Sequence, residues 1–452
     1  MLDGRKHSPE DKGVVSSQFL PFKPAGSPFP PNMKFRYLLS FALLGSLSVS
    51  ASAETTIKIL HLQKLPKVLA IWQEAAQMYE KANPGVKVEF DYLENEAFKA
   101  KLPTLLQSKD RPSMFHSWGG GVMYEQINAG VCQDITSAIS EGGFKDTFYP
   151  AGIQNFTYEG KTYGLPNDVA PIVFWYNKEL VGKAGVDPTK IKTWDDFIEA
   201  VKKCQAAGIT PLAAGGKDKW PLHFYPALLM MRVLGKEGMQ AAYEGKNGGF
   251  ASPEVVKALQ LYKDLAVLNP FQKGFLANTY PESAGTFHDG KTAFHLMGTW
   301  DITEGRSDSS DQKGLPDEKL GWFFFPEVKD GKGHANDIFA SLDGWLVAKD
   351  APKETVGFLK VWLGKEIQNK IAEQGLDIPM VKGTSDVIKD QFLKQIAQEV
   401  SNSQWIAIAI DQLLGPDTGR VFNDASADIA AGNMTPEQAA KTIEKSWEQN
   451  KQ

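Results

Sequence analysis

The sequence has few of the residues that build metal sites and covalent cross-links. Only two of its 452 residues are cysteine, Cys132 and Cys204, and seven are histidine. The histidines show no ligand-like pairing at i and i+4, which argues against a zinc site, and we expect no metal or other cofactor. Two cysteines permit either one disulfide or two free thiols, and the sequence does not decide between them.

Sequence motifs of common enzymes are also missing. The chain contains no G-x-S-x-G nucleophile elbow and no H-E-x-x-H zinc motif. Residues 285–292 match the phosphate-loop pattern G-x-x-x-x-G-K-[ST], but that pattern binds phosphate only between a strand and a helix. Here residues 277–281 are not typical of a strand, and residues 292–297 are more typical of a strand than of a helix. We therefore expect no nucleotide binding.

Neither charge nor hydropathy indicates nucleic acid or a membrane as a partner. The net charge is −5, and hydrophobic residues make up 42% of the sequence, as in soluble globular proteins. The chain lacks the basic excess that binds nucleic acid or anionic lipid. It has one long apolar segment, residues 37–49, and no second one follows.

That apolar segment lies within a predicted secretory signal peptide, residues 33–53. Lys34 and Arg36 supply the positive charge before it, and the small residues 51–53 supply a cleavage site. The apolar part is too short to cross a bilayer as a helix. Because no cysteine lies near the cleavage site, we expect an exported protein without a lipid anchor.

Residues 1–32 resemble neither a domain nor a signal peptide. They contain six prolines, and we interpret them as a non-native or disordered leader. We expect the biological start to be Met33 rather than Met1.

The remaining sequence alternates between strand and helix patterns. Residues 55–60 alternate as a strand, residues 68–81 have apolar side chains at helical spacing, and residues 86–90 alternate again. This β-α-β order predicts a parallel sheet with a right-handed crossover. Further strands are predicted at 114–115 and 172–176, and further helices begin near Thr193, Ser252, Asp350 and Thr435.

Several tryptophans occupy turn-like positions next to small or acidic residues, which makes them candidates for a ligand site. These are Trp118, Trp220, Trp300 and Trp345. An aromatic face beside carboxylates suits a sugar, whose C–H faces stack on rings while its hydroxyls need polar partners. The alternative is that each ring fills a core, which is the expectation for Trp72, Trp194 and Trp362 inside helical patterns.

Segments in order along the chain match a known pattern. They are residues 79–88 (YEKANPGVKV), 160–166 (GKTYGLP), 175–180 (WYNKEL), 193–197 (TWDDF) and 287–300, which fit F-x-x-G-K-x-A-x-x-x-x-G-x-W. In these segments the chain resembles the periplasmic carbohydrate-binding proteins of ABC transporters, the family 1 extracellular solute-binding proteins that include maltose-binding protein. Residues 116–120 differ from the matching segment of maltose-binding protein itself, so the resemblance does not imply maltose as the ligand.

The resemblance implies an α/β fold of the two-lobed periplasmic-binding-protein type (type II), with a ligand cleft at the hinge between the lobes. The first lobe would comprise residues 54–168 and about 341–400. The second would comprise residues 169–340 and about 401–452. Cys132 and Cys204 would then lie on different lobes, where a disulfide would lock the hinge, so two free thiols are favoured.

The resemblance also implies a ligand-binding set. It comprises Gln63, Trp118, Gly119, Gly120, Asp343 and Gly344 in the first lobe, Asn167 and Asp168 at the crossing, and Trp220, Trp300, Asp301 and Arg420 in the second lobe. Stacking is assigned to Trp118, Trp220 and Trp300, and hydroxyl recognition to Asp168, Asp301 and Asp343.

The function that the resemblance implies is capture of a sugar or short oligosaccharide in the periplasm and delivery to the permease subunits of an ABC importer in the inner membrane. The protein would act as a monomer without catalysis. One alternative is a secreted glycoside-acting enzyme, because a catalytic carboxylate pair could lie among the 54 acidic residues. The other is a binding protein for a polyol, a glycerol phosphate or a polyamine. The aromatic and acidic loops favour neutral sugars over a phosphate, which would need a cluster of Arg or Lys.

Overall fold

The structure is a computed structural model that describes residues 54–451. The predicted leader, signal peptide and start at Met33 lie outside the described residues. Within the described range, no helix is both long enough and apolar enough to span a bilayer.

The described residues form eleven β-strands and seventeen α-helices. The strands are β1 (Thr55–His61), β2 (Val86–Tyr92), β3 (Met114–Ser117), β4 (Thr157–Tyr158), β5 (Lys161–Thr162), β6 (Gly164–Asn177), β7 (Leu212–Ala213), β8 (Phe294–Gly298), β9 (Leu320–Phe323), β10 (Ile338–Val347) and β11 (Ile406–Ile408). The helices are α1 (Pro66–Ala82), α2 (Asn95–Gln107), α3 (Gly120–Asn128), α4 (Thr136–Ser140), α5 (Pro150–Asn155), α6 (Lys178–Lys183), α7 (Trp194–Ala206), α8 (Trp220–Tyr243), α9 (Pro253–Val267), α10 (Tyr280–His288), α11 (Glu304–Ser307), α12 (Glu354–Trp362), α13 (Lys365–Glu373), α14 (Gln391–Asn402), α15 (Ile410–Leu413), α16 (Gly415–Ala431) and α17 (Pro436–Asn450).

The predicted β-α-β unit is confirmed as β1, α1 and β2. β1 and β2 are parallel, with Thr55 opposite Val86. α1 starts with Pro66, ends before Asn83 and buries an apolar face that includes Trp72. The predicted helix starts at Thr193, Ser252 and Thr435 are also confirmed, since each side chain accepts a backbone N–H of the first turn.

The apparent phosphate loop lacks the surroundings that such a loop needs. It begins inside helix α10, and strand β8 follows it. This helix-then-strand order is the reverse of a phosphate-binding loop, in which the helix N-terminus must face the ligand. The predicted strand after the motif is confirmed.

One long strand, β6, joins two parts of a nine-stranded sheet. The strand order is β2-β1-β3-β10-β6-β8-β7, with β11 added to β10 and β9 added to β6. The first half of β6 pairs antiparallel with β10, up to Pro171. From Ile172 onward it pairs instead with β8 and β9. The two halves of β6 therefore pair with different sets of strands.

Three chain segments lie side by side where this change occurs. Asp168 of β6 lies opposite Asp343 of β10 and forms a bridge with Pro379 on its other side. The N–H of Val169 donates to the carbonyl of Ile378 at 3.0 Å. The chain thus crosses between the two parts of the sheet at β6, at β10 and at residues 377–380.

The hydrophobic core is divided in the same way. The largest cluster contains the second half of β6 together with α7, α8, α9 and the C-terminal helices. Two smaller clusters lie around β1, β3 and α1. Trp72, Trp194 and Trp362 are buried, as expected.

Helix α14 belongs to the largest cluster, because Phe392 and Ile396 pack there and Phe392 contacts Trp175. The sequence had placed residues 341–400 together with residues 54–168. We propose instead that the division falls at residues 377–380, the third crossing, and that α14 belongs with residues 169–340. Residues 54–168 and about 341–376 are called the first lobe below, and residues 169–340 and about 381–451 are called the second lobe.

Both cysteines are free thiols. Cys204 is buried in α7 and Cys132 is partly buried before α4. Burial raises the pKa of Cys132 to about 12 and that of Cys204 to about 11, so both thiols are unreactive at neutral pH.

Candidate functional site

A cavity of about 250 Å³ lies at the crossing segments. Seven of the twelve residues predicted for the ligand site line it: Gln63, Trp118, Asn167, Asp168, Trp220, Trp300 and Asp343. They come from loops far apart in sequence, which meet where the strands change partners. Loops that converge at the ends of strands are a common location for ligand sites in α/β proteins.

Three half-buried tryptophans supply the aromatic walls. Trp118 follows β3, Trp220 begins α8 and Trp300 follows β8. The Trp220 and Trp300 rings are 6.3 Å apart. On the opposite side, Trp118 packs edge-on against His116 at 4.7 Å and Phe98 at 5.9 Å. Faces on two sides of one cavity suit a flat, partly apolar ligand.

The crossing strands supply carboxylates. Asp168 accepts a hydrogen bond from Asn167 Nδ2 at 2.7 Å, and Asp343 accepts one from Ser341 Oγ at 2.5 Å. Burial raises the pKa of Asp168 to about 6. Burial, together with the neighbouring Asp168, raises the pKa of Asp343 well above its usual value. Two carboxylates side by side, one buried and one half-buried, repel each other, which favours a proton or a positive partner between them.

Two further acids complete this group, and no pattern in the sequence nominated them. Glu304 lies at the start of α11 and Asp377 at the third crossing, and both line the cavity. Burial raises the pKa of Glu304 to about 7. Burial and the other three acids raise the pKa of Asp377. The cavity therefore has a markedly acidic side.

Other cavity residues were likewise not predicted. They include Lys64, Glu94, Lys99, His116, His223, Tyr280 and Asp411. Lys64 follows the nominated Gln63, so an extended search of that loop would have included it. Glu94 caps the N-terminus of α2, and the others lie on helices or strands whose local pattern carries no ligand signal. Burial lowers the pKa of His116 to about 3, so its imidazole is neutral.

Three predicted glycines do not line the cavity and serve close packing instead. A Cβ on Gly120 would lie 3.0 Å from the Gln412 carbonyl oxygen, and Gly120 has φ +62°. Gly119 lies against Asn155, and Gly344 against Phe156 and the Leu165 carbonyl. At these positions the chain approaches neighbouring segments too closely for a larger residue.

Asp301 points away from the cavity into the second lobe and is fully buried. It pairs with His295 Nδ1 at 3.0 Å and His288 Nε2 at 3.3 Å. Burial would raise the pKa of this carboxyl, but the two histidines outweigh it and lower the pKa below its usual value. Asp301 therefore anchors the turn that carries Trp300.

Arg420 also lies off the cavity. Its side chain is 65% exposed on α16, and its nearest acidic partners are Asp417 at 3.8 Å and Asp424 at 3.7 Å. Such an exposed pair contributes little to stability, and the side chain does not reach the cavity wall.

These features define a class: a two-lobed α/β protein that encloses a small molecule between its lobes. A model of the family described as bacterial extracellular solute-binding protein matches residues 64–369, and the chain belongs to this family.

Relatives agree with this assignment. An uncharacterized ABC transporter extracellular-binding protein of Pyrococcus horikoshii is 28% identical over 294 residues, which cover 59% of this chain and 65% of that protein. The match thus spans just under two thirds of the relative's length.

Two solved structures share the fold. One, described under xylan utilization by the thermophilic bacterium Caldanaerobius polysaccharolyticus, has a TM-score of 0.77 and 27% identity, with 86% of this chain and 99% of that chain covered. The other, a chitin oligosaccharide binding protein, has a TM-score of 0.79 and 24% identity, with 88% of this chain and 99% of that chain covered. At that identity the second likeness shows the fold alone.

Proposed function

We propose that this protein is the carbohydrate-binding component of an ABC importer. The observation that carries the proposal is the cavity itself, in which tryptophan rings from both lobes face carboxylates on the crossing strands. A sugar ring requires aromatic rings that stack on its C–H faces and carboxylates that accept hydrogen bonds from its hydroxyl groups. The relative named for ABC transport and the structure described under xylan utilization support this choice.

Ligand capture follows from the position of the cavity. A molecule that contacts Trp118 in the first lobe and Trp220 or Trp300 in the second binds fully only when the lobes are together, so it shifts the population toward the closed form. The closed protein then docks on the permease subunits of the transporter. It acts as an exported monomer in the periplasm, released by cleavage of the signal peptide, and it performs no chemistry.

The test is a thermal-shift screen of purified protein against mono-, di- and trisaccharides, followed by calorimetry on the compounds that stabilise it. A ligand at 100 times Kd adds about 2.7 kcal/mol of stability. We expect one sugar class to bind without turnover. Chromatographic detection of cleaved oligosaccharide would favour the glycoside-acting enzyme instead. Stabilisation by a polyol or glycerol phosphate, with none by sugars, would refute a carbohydrate ligand.

A further inference from the structure

Four acidic side chains line the cavity. Asp168 and Asp343 are directly opposite each other on β6 and β10. Asp377 lies on the third crossing, two residues before Pro379, whose backbone is bridged to Asp168. Glu304 approaches from α11, and all four line the same cavity. Each of the three crossing segments, and one helix of the second lobe, thus contributes one acid.

A basic side chain offsets only part of the cost of charging this group: Lys64 lowers the pKa of Glu304, but by less than burial raises it. Among residues 54–451, none of the four carboxylates takes part in an ion pair; the two lysines of the cavity are paired elsewhere, Lys64 with Asp308 at 2.6 Å and Lys99 with Glu96 at 3.0 Å. The hydrogen bonds that Asp168 and Asp343 accept come from neutral donors. Grouped carboxylates without a counter-charge are costly to keep ionised away from water. A positive group on the ligand would remove that cost.

The aromatic walls contact a cation that belongs to the chain itself. The Lys99 ammonium lies 5.5 Å from the Trp118 ring centre and 5.8 Å from the Trp220 ring centre. These are cation–π distances, with one ring from each lobe. A positively charged nitrogen is therefore already held within the aromatic slot.

Two side chains of the cavity wall carry a ring nitrogen without a partner. His116 and Trp345 line the cavity, and Nε2 of His116 and Nε1 of Trp345 lie buried with no hydrogen-bond partner among residues 54–451. His116 is 9% exposed and Trp345 2% exposed. A neutral imidazole nitrogen accepts a hydrogen bond from a hydroxyl group, and an indole N–H donates to a hydroxyl oxygen. A ligand hydroxyl that reached either nitrogen would supply the missing partner.

We propose that the bound carbohydrate carries a protonated amino group, which lies among Asp168, Asp343, Asp377 and Glu304. The ligand class is then an amino sugar or an oligosaccharide that contains one. This inference rests on the proposed carbohydrate function and departs from the neutral sugar that the sequence favoured. A neutral sugar would meet the same carboxylates only as hydrogen-bond acceptors, or would require them to be protonated.

The experiment compares ligands that differ in a single substituent. Glucose, glucosamine and N-acetylglucosamine share one ring and differ at the second carbon, and their β-1,4-linked trimers form a second matched series. Dissociation constants are measured by calorimetry at pH 7 for all six. We expect the glucosamine compound of at least one series to bind ten times more tightly than its glucose counterpart, a difference of about 1.4 kcal/mol.

Matched variants locate the effect. Asp343→Asn removes one carboxyl of the group, which can then no longer pair with an ammonium group, and we expect it to reduce the ratio between glucosamine and glucose affinities at least threefold. Asp195→Asn makes the same change on the exposed surface of α7 and should leave the ratio unchanged. The ratio is independent of any general loss of affinity or of fold in either variant.

Three results would overturn the inference. Glucose or N-acetylglucosamine compounds that bind as tightly as the glucosamine ones would refute the amino group and leave the carbohydrate function standing. An unchanged ratio in Asp343→Asn would place the amino group elsewhere. Binding of spermidine, with none of the six sugars bound, would refute the carbohydrate function as well.

Discussion

Gly121 offers a direct test of whether ligand binding requires the lobes to come together. It lies in the first turn of α3, which packs through Met123 into the cluster around Phe98 and Phe115 of the first lobe. Its backbone faces the second lobe at the start of α16. A Cβ on Gly121 would lie 2.6 Å from Gly415 N and 2.6 Å from the Leu413 carbonyl oxygen. Both are backbone atoms, which cannot rotate away.

Gly121→Ala therefore forces α3 and α16 apart. Overpacking of a tight contact costs about 1–3 kcal/mol. In the free protein the lobes can avoid that cost by remaining slightly open, whereas the ligand-bound protein must bear it. We expect this cost to weaken ligand binding. At about 1.4 kcal/mol per tenfold change, the affinity for the sugar should be about 5- to 150-fold lower. Gly121 does not line the cavity, so no ligand contact is removed.

The assay pairs calorimetry with urea denaturation of the ligand-free protein, and small-angle scattering reports the opening. Gly182→Ala is the control, because Gly182 is exposed on α6 and a Cβ there would have no neighbour within 4 Å. We expect Gly121→Ala to lose affinity and keep its unfolding midpoint. The reasoning fails if affinity is retained while the free energy of unfolding falls by the full 1–3 kcal/mol, because the contact would then be a permanent part of the fold.

Other predictions concern single groups. Trp300→Ala should weaken sugar binding at least tenfold, or about 1.4 kcal/mol, with little loss of fold; an unchanged Kd by calorimetry would remove Trp300 from the site. Asp301→Ala should lower the free energy of unfolding by about 3 kcal/mol in urea denaturation, since the charge-assisted hydrogen bond from His295 and the ion pair with His288 are lost; a change below 1 kcal/mol would contradict the anchoring role. Glu304, with a pKa raised to about 7, binds a proton more tightly when folded, so its contribution to stability declines as pH rises through 7. Buried histidines have the opposite effect on the pH dependence of stability, so the quantity to measure is the difference in unfolding free energy between wild type and Glu304→Gln. We expect this difference to become less favourable to wild type from pH 5 to 8. A difference that stays constant over this range would contradict the prediction. Thiol titration without reductant should detect two thiols after unfolding and almost none before; no thiol after unfolding would indicate a disulfide.

Local signals in the sequence predicted much of the fold. The caps at Thr193 and Thr435 depend only on residues within one helical turn, and the structure shows both as capping boxes. The β1-α1-β2 unit likewise follows from periodicity over about forty residues. For α14 we propose a different lobe from the one that the resemblance implied, and its amphipathic pattern could not decide this, because the pattern says that one face is buried but not against which lobe.

Less of the candidate site could be predicted from the sequence, for the same reason. Trp118, Trp220 and Trp300 could be nominated because their turn-like positions set them apart. Glu304 and Asp377 look like ordinary acids at element ends, and only the three-dimensional crossing brings them together. Asp301 follows Trp300 directly, but the short turn that exposes the ring to the cavity directs the next side chain inward, toward His288 and His295.

The three adjacent crossings have a consequence for how the lobes move. A single connecting segment would let one lobe swivel in any direction, whereas three segments hydrogen-bonded side by side resist twisting and sliding and leave bending as the soft motion. Opening and closing then follow one coordinate, so a ligand has little orientational entropy to remove when it draws the lobes together. The ligand sets how far the lobes travel, and the strand geometry sets the path.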